Sequence, residues 1–303
     1  MKTYKHTIQM TNSTNSKKLF EQYNDDIEQF ILYIMDQNFD FDLDLIVKFQ
    51  YLDRVTNYVN HETDTAYTTL IDGKYAIVLN MNSLKRIEND NGFDIALSIF
   101  HELAHTYDLY HTMHNKYYII EPIQKHQKTF DEYLIMIGWA FWTEFFAYYF
   151  SYKHYKEEYD YPTKFQIYKS FVELKKDFAQ IELDLKNEKK QKEVRKIACL
   201  FITKLRQFTY AIAKYEAGTV MSSRKKHFNY CKKTKENKDY KKVTSICNGL
   251  FCRAIKLFRN TYGKGQARKL FDLGKYIIAN IYGYFNIYPL KKNYVNLAIY
   301  VDD

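Results

Sequence analysis

His101-Glu102-Leu103-Ala104-His105 brings two imidazoles and a carboxylate into five residues. On a helix, positions i and i+4 share a face. Two rings so placed can hold one Zn²⁺, each nitrogen at about 2.0–2.1 Å. Glu102 is turned by one residue from the first ring, so it reaches a water in the open coordination position more easily than the metal itself. Zinc lowers the pKa of such a water to about 7, and the carboxylate can take its proton. The segment thus supplies two ligands and a general base. With 9 His in 303 residues, chance produces this spacing about once in seventy such chains, so the pattern carries weight.

A catalytic zinc needs a third protein ligand. Glu144 lies thirty-nine residues after His105, within the aromatic run GWAFWTEFFAYYFS. A charge in such surroundings needs a partner. Ala147 and Ser151, three and seven residues on, are small enough to let its helix approach another closely. His111 is the rival, since HELAHTYDLYH also fits the HExxHxxxxxH spacing of metzincins. That pattern wants glycine where this chain has Asp108, so that the backbone can leave the helix and turn the last histidine back. Glu144 is therefore preferred. Asp108 follows His105 by three and His101 by seven, on the metal face. There it can accept a ring N–H from a ligand histidine and fix its tautomer.

HELAHTYD followed by TEFFAYYF resembles the HExxHxxD…EFFA pattern of the gluzincin zinc metallopeptidases, the group that includes Mlc titration factor A and the catalytic domain of anthrax lethal factor. The resemblance covers residues 71–151 at most. It implies a zincin-like core, a peptide or protein substrate, and Glu144 as third zinc ligand. The family also has an oxyanion-stabilising tyrosine about seven residues before that ligand. Ile137 stands there in this chain, and Tyr133 and Tyr148 are the substitutes in reach by sequence.

The elements that must position these groups are legible in part. Apolar residues recur at helical spacing from Lys17 to about Gln37, and FDFDLDLIV alternates as a half-buried strand does. Residues 65–80 read as a hairpin turned by Asp72-Gly73, with the arm 74–80 as an edge strand offering its backbone to a substrate. Helices are expected over 93–110 and about 131–155, and mainly helices from 163 to the end, broken near Gly218 and by the lysine-rich stretch 224–242. The expected fold class is α+β: a flexible tail over 1–18, a zincin-like catalytic domain over 19–155, and a basic, mainly helical region over 156–303.

Charge is divided unevenly. Residues 1–150 hold 12 Lys+Arg and 21 Asp+Glu, a net of −9, and residues 151–303 hold 33 and 15, a net of +18. A basic half of this kind suits nucleic acid or an acidic protein. It motivates a second expectation, a binding regulator in which the zinc is structural. A metzincin-like enzyme with His111 as ligand is the third. Four cysteines are too few for a disulfide scaffold in a chain of 303 residues. The first twenty residues lack an apolar h-region, and no run of eighteen apolar residues occurs. A cytoplasmic protein without a membrane partner is expected.

Overall fold

Alternation and helical periodicity each find their element. The computed structural model describes residues 4–13, 17–51, 55–56, 59–60, 66–84, 93–114, 129–154, 164–186, 204–205, 207–218, 238–258, 264–285, 287–290 and 293–299. The fold is α+β, mostly helical, with a small four-stranded mixed sheet. The chain divides into two units, residues 1–110 and 111–303, whereas the sequence reading drew its boundary near residue 155.

In the first unit, strand β1 (His6–Asn12) leads to helix α1 (Lys17–Asn38) and strand β2 (Leu43–Gln50). A two-residue ladder follows, β3 (Val55–Thr56) with β4 (Val59–Asn60). Then come β5 (Ala66–Ile71), β6 (Lys74–Asn80) and a single turn, α2 (Met81–Leu84). The sheet order is β1-β2-β6-β5. The pairs β1/β2 and β2/β6 are parallel, and β5/β6 is antiparallel. Asp72 (φ 50) and Gly73 (φ 78) both take positive φ, as a two-residue type I′ hairpin requires.

Two expectations are corrected here. The supposed tail contains β1, whose His6, Ile8 and Met10 alternate with exposed Thr7 and Gln9. An edge strand buries only one face, so a polar composition suffices. Lys5 N–H donates to Asp42 Oδ1 at 2.8 Å and the Thr7 hydroxyl donates to Asp44, which ties β1 to the start of β2. The arm 74–80 is not an edge. It pairs with β2 on one side and β5 on the other, and Ala76–Asn80 are all buried. The edge belongs to β5.

Ile31, Ile34 and Met35 of α1 are buried, as are Leu45, Val47 and Phe49 of β2 and Ile77 and Leu79 of β6. Helix α3 (Phe93–Met113) adds Ile99, Phe100, Leu103 and Ala104, and the Phe30 and Phe100 rings meet edge-to-face at 5.7 Å.

The second unit contains α4 (Phe130–His154), α5 (Lys164–Lys186), α6 (residues 207–218), α7 (Lys238–Phe258) and α8 (Gln266–Ile277). Helix α8 continues as a π-helical turn, Ile278–Tyr282, and a 3₁₀ turn, Gly283–Phe285. Helices α4 and α8 cross with backbones in contact. A Cβ on Gly138 would collide with the Leu270 carbonyl, and one on Gly274 with the Leu134 carbonyl. Phe171 of α5 packs on Phe208 and Phe285, 5.8 Å from each. Among the described residues the region from 164 on is mainly helical, as expected, with one addition: β7 (Ile287–Leu290) and β8 (Asn293–Ile299) form an antiparallel hairpin, in keeping with the β-branched and aromatic residues of IYPL and NYVNLAI. Most of the lysine-rich stretch 224–242 lies outside the described residues, and α7 begins at Lys238. Among the described residues, no helix is long and apolar enough to cross a membrane.

Candidate metal centre

Helix α3 carries the histidine pair, and its position is set from several sides. Its buried residues Ile95, Ile99 and Leu103 belong to the core. Its C-terminal half meets an aromatic cluster. Tyr110 stacks on Phe41 with centroids 3.6 Å apart, Tyr107 meets Phe39 at 5.4 Å, and Tyr75 of β6 lies 6.2 Å from Tyr110. Burial pushes the Tyr75 and Tyr107 phenols up to about 12, helped by Tyr110 and by Asp40 respectively. Both stay protonated at neutral pH and serve as packing.

The imidazoles of His101 and His105 are half-buried, edge-to-face, with centroids 4.6 Å apart. Their Nε2 atoms approach to 3.0 Å. Two tetrahedral ligands at about 2.0–2.1 Å from one zinc stand roughly 3.3 Å apart, so the 3.0 Å separation is close to the spacing that one shared cation requires. His101, Glu102 and His105 form a metal-capable group whose ligand atoms lie within 4.8 Å of one another. The donor set, two imidazole nitrogens with a carboxylate beside them, fits a zinc ion or a similar divalent cation.

Glu102 is only 8% exposed, and a buried carboxylate needs a donor. Thr68 on β5 provides it. Its Oγ1 lies 2.7 Å from Glu102 Oε2 and 2.9 Å from the Glu102 carbonyl oxygen. Thr106 Oγ1 donates to the same carbonyl at 3.0 Å. Thr68 is the residue that sequence reasoning missed, because no motif links it to a helix thirty-four residues away. Its neighbourhood did hold a signal. The apolar run AIVL after the Asp72-Gly73 turn marks β6 as an interior strand, which leaves β5 as the hairpin's edge strand beside Glu102.

Asp108 lies one turn beyond His105 on the same face and is 1% exposed. Helix α3 runs unbroken to Met113. His111 therefore stands six residues past His105, about 9 Å along the axis and about 240° around it. The metzincin arrangement needs the chain to leave the helix at Asp108. It stays helical there, and His111 is carried away from the pair.

Glu144, Tyr133 and Tyr148 belong to the second unit, on α4. That helix starts with a reciprocal cap in which Glu132 N–H donates to Thr129 Oγ1 and Thr129 N–H donates to Glu132 Oε2. Glu144 is half-buried among buried Phe141, Trp142 and Phe145. Tyr148 is one turn from it, and Tyr133 lies three turns before it within about 20° of the same stripe. Tyr133 is buried and stacks on Phe130 at 6.3 Å. Tyr148 is half-buried, 6.1 Å from Tyr152, with Lys214 Nζ 5.8 Å above its ring.

No protein-family profile, curated protein or solved structure matches this chain.

Proposed function

We propose that the chain is a zinc-dependent metallopeptidase of gluzincin type, with a zincin-like core formed by the mixed sheet and α3. The observation that carries this reading is the pair of Nε2 atoms 3.0 Å apart beside the buried Glu102 carboxylate. His101 and His105 would hold the metal. Glu144 is the third ligand on the sequence grounds given above, and Asp108 holds a ligand ring in its tautomer. Bound there, Zn²⁺ supplies a Lewis acid and lowers the pKa of a coordinated water to about 7. Glu102 takes the proton from the attacking water and passes it to the leaving amine. Strand β5, an edge of the sheet among the described residues, offers its backbone to an extended peptide, and Tyr133 or Tyr148 is the candidate for oxyanion stabilisation.

The test is Glu102→Ala in the full chain, assayed against a mixed peptide library with zinc content measured in parallel. Loss of cleavage with zinc retained is the expected result. Cleavage that persists at the wild-type rate would exclude Glu102 as the base.

A second reading, in which the zinc is structural and the protein binds a polyanion or an acidic protein, draws on one feature of the second unit. Arg253, Lys256, Lys269 and Lys275 line a cleft of about 460 Å³ with Asp272 as the one acid among its lining residues. The Arg253 guanidinium lies 3.9 Å over the Tyr276 ring and donates to the Gly249 carbonyl at 3.0 Å. Salt-dependent retention on single-stranded DNA that survives Glu102→Ala and falls with Lys256→Glu would favour this reading.

A further inference from the structure

Glu102 is gripped by a residue outside its own motif. We infer that Thr68 is a positioning residue for the general base: its hydroxyl holds Oε2 so that Oε1 faces the attacking water. The inference rests on the proposed role of Glu102.

A hydroxyl has one proton to donate. Two acceptors of Glu102 lie in reach of Thr68 Oγ1, the carboxylate Oε2 at 2.7 Å and the carbonyl oxygen at 2.9 Å. Thr106 already donates to that carbonyl at 3.0 Å. The Thr68 proton is thus best used on the carboxylate, where the bond is charge-assisted and the separation shorter. The terminal torsion of a glutamate is otherwise broad, so an unclamped carboxylate would swing through orientations that do not face the water. Thr68 itself is held firmly. Its backbone pairs opposite Ile77 in the β5/β6 ladder, and its β-branch restricts χ1.

During the reaction the water O–H bond breaks and its proton moves to Glu102 Oε1 as the oxygen attacks the peptide carbonyl. The same proton then leaves with the amine nitrogen when the C–N bond breaks. Thr68 keeps its own proton throughout. Because Thr68 lies on the edge strand, the backbone that would pair with the substrate also sets the angle of the base.

Thr68→Val keeps the side-chain shape and removes the donor, and Thr68→Ser restores the donor. We expect Thr68→Val to lower kcat about tenfold to a hundredfold with KM, zinc content and melting temperature near wild type, and Thr68→Ser to recover most of the rate. In parallel, the ¹³C carboxyl resonance of Glu102 in glutamate-labelled, zinc-loaded protein should move in Thr68→Val and return in Thr68→Ser. A Thr68→Val protein with wild-type kcat and an unmoved resonance would overturn the inference. Equal losses of rate, zinc and folding in the Val and Ser variants would also overturn it, since Thr68 would then be structural. A wild-type chain that cleaves no peptide would instead retire the peptidase reading, and the resonance alone would decide whether Thr68 holds Glu102.

Discussion

His101 Nε2 and His105 Nε2 face each other across 3.0 Å. Bare imidazoles this close must share a proton in one N–H···N bond, with one ring donating and the other accepting. A cation replaces that proton and engages both lone pairs. The pair is therefore suited to a metal before any third ligand is considered, and affinity should depend on pH because protons compete for the same nitrogens.

Metal analysis of purified variants checks the ligand set. His101→Ala and His105→Ala are each expected to abolish stoichiometric zinc, and Glu144→Ala to lose most of it. His111→Ala should retain it, since α3 carries that ring away from the pair. Asp108→Ala should weaken zinc about 10- to 100-fold, the usual cost of losing a residue that orients a ligand. Zinc loss in His111→Ala with full retention in Glu144→Ala would reverse the assignment.

The crossing of α4 and α8 predicts a substitution effect opposite to helix propensity. Alanine normally improves on glycine in a helix interior by about 1 kcal/mol. At Gly138 or Gly274 the added methyl meets backbone carbonyls, which cannot move as a side-chain tip can. Overpacking of this kind costs about 1–3 kcal/mol. Gly138→Ala and Gly274→Ala should each lower the denaturation midpoint of the chain, and a rise in either would show that the helices separate freely.

How much of this was legible depended on whether the cause lay within one segment. The Asp72-Gly73 turn, the periodicity of α1 and the HELAH helix are local, and each lies where the sequence put it. Strand β1 was missed because its apolar residues are few and its stability comes from pairing with Leu43–Phe49, far along the chain. A hairpin turn alone does not say which arm is the edge; that β6 is the interior arm follows from its burial on both faces and its pairing with both β2 and β5. Thr68 was invisible for the same reason as β1: a threonine in a strand has no chemical signature until the fold sets a carboxylate 2.7 Å from it.

Acid sensitivity should begin at β1. Burial lowers the His6 pKa from its ordinary 6.5, against the opposing pull of Asp36 and Asp42. The ring is nearly enclosed, with Nε2 3.7 Å from Asp36 Oδ1. A depressed folded-state pKa means that stability is fully present above pH 6.5 and is lost as the pH falls through the lower, folded value. The wild-type denaturation midpoint should therefore drop between pH 7.5 and pH 5. Its loss should exceed that of His6→Gln, which carries no charge at either pH. Identical pH dependence in the two proteins would remove His6 as the cause.

Helix α3 begins in the first unit and ends in the second, and the division falls between Tyr110 and His111. Any attempt to express either half alone must therefore cut a continuous helix one to two turns past His105. The stump would fray at its new end and lose the last hydrogen-bonded carbonyls. Fragments made for crystallography or screening should keep the whole span through Met113, or the histidines will sit on a loosened scaffold and report too weak an affinity.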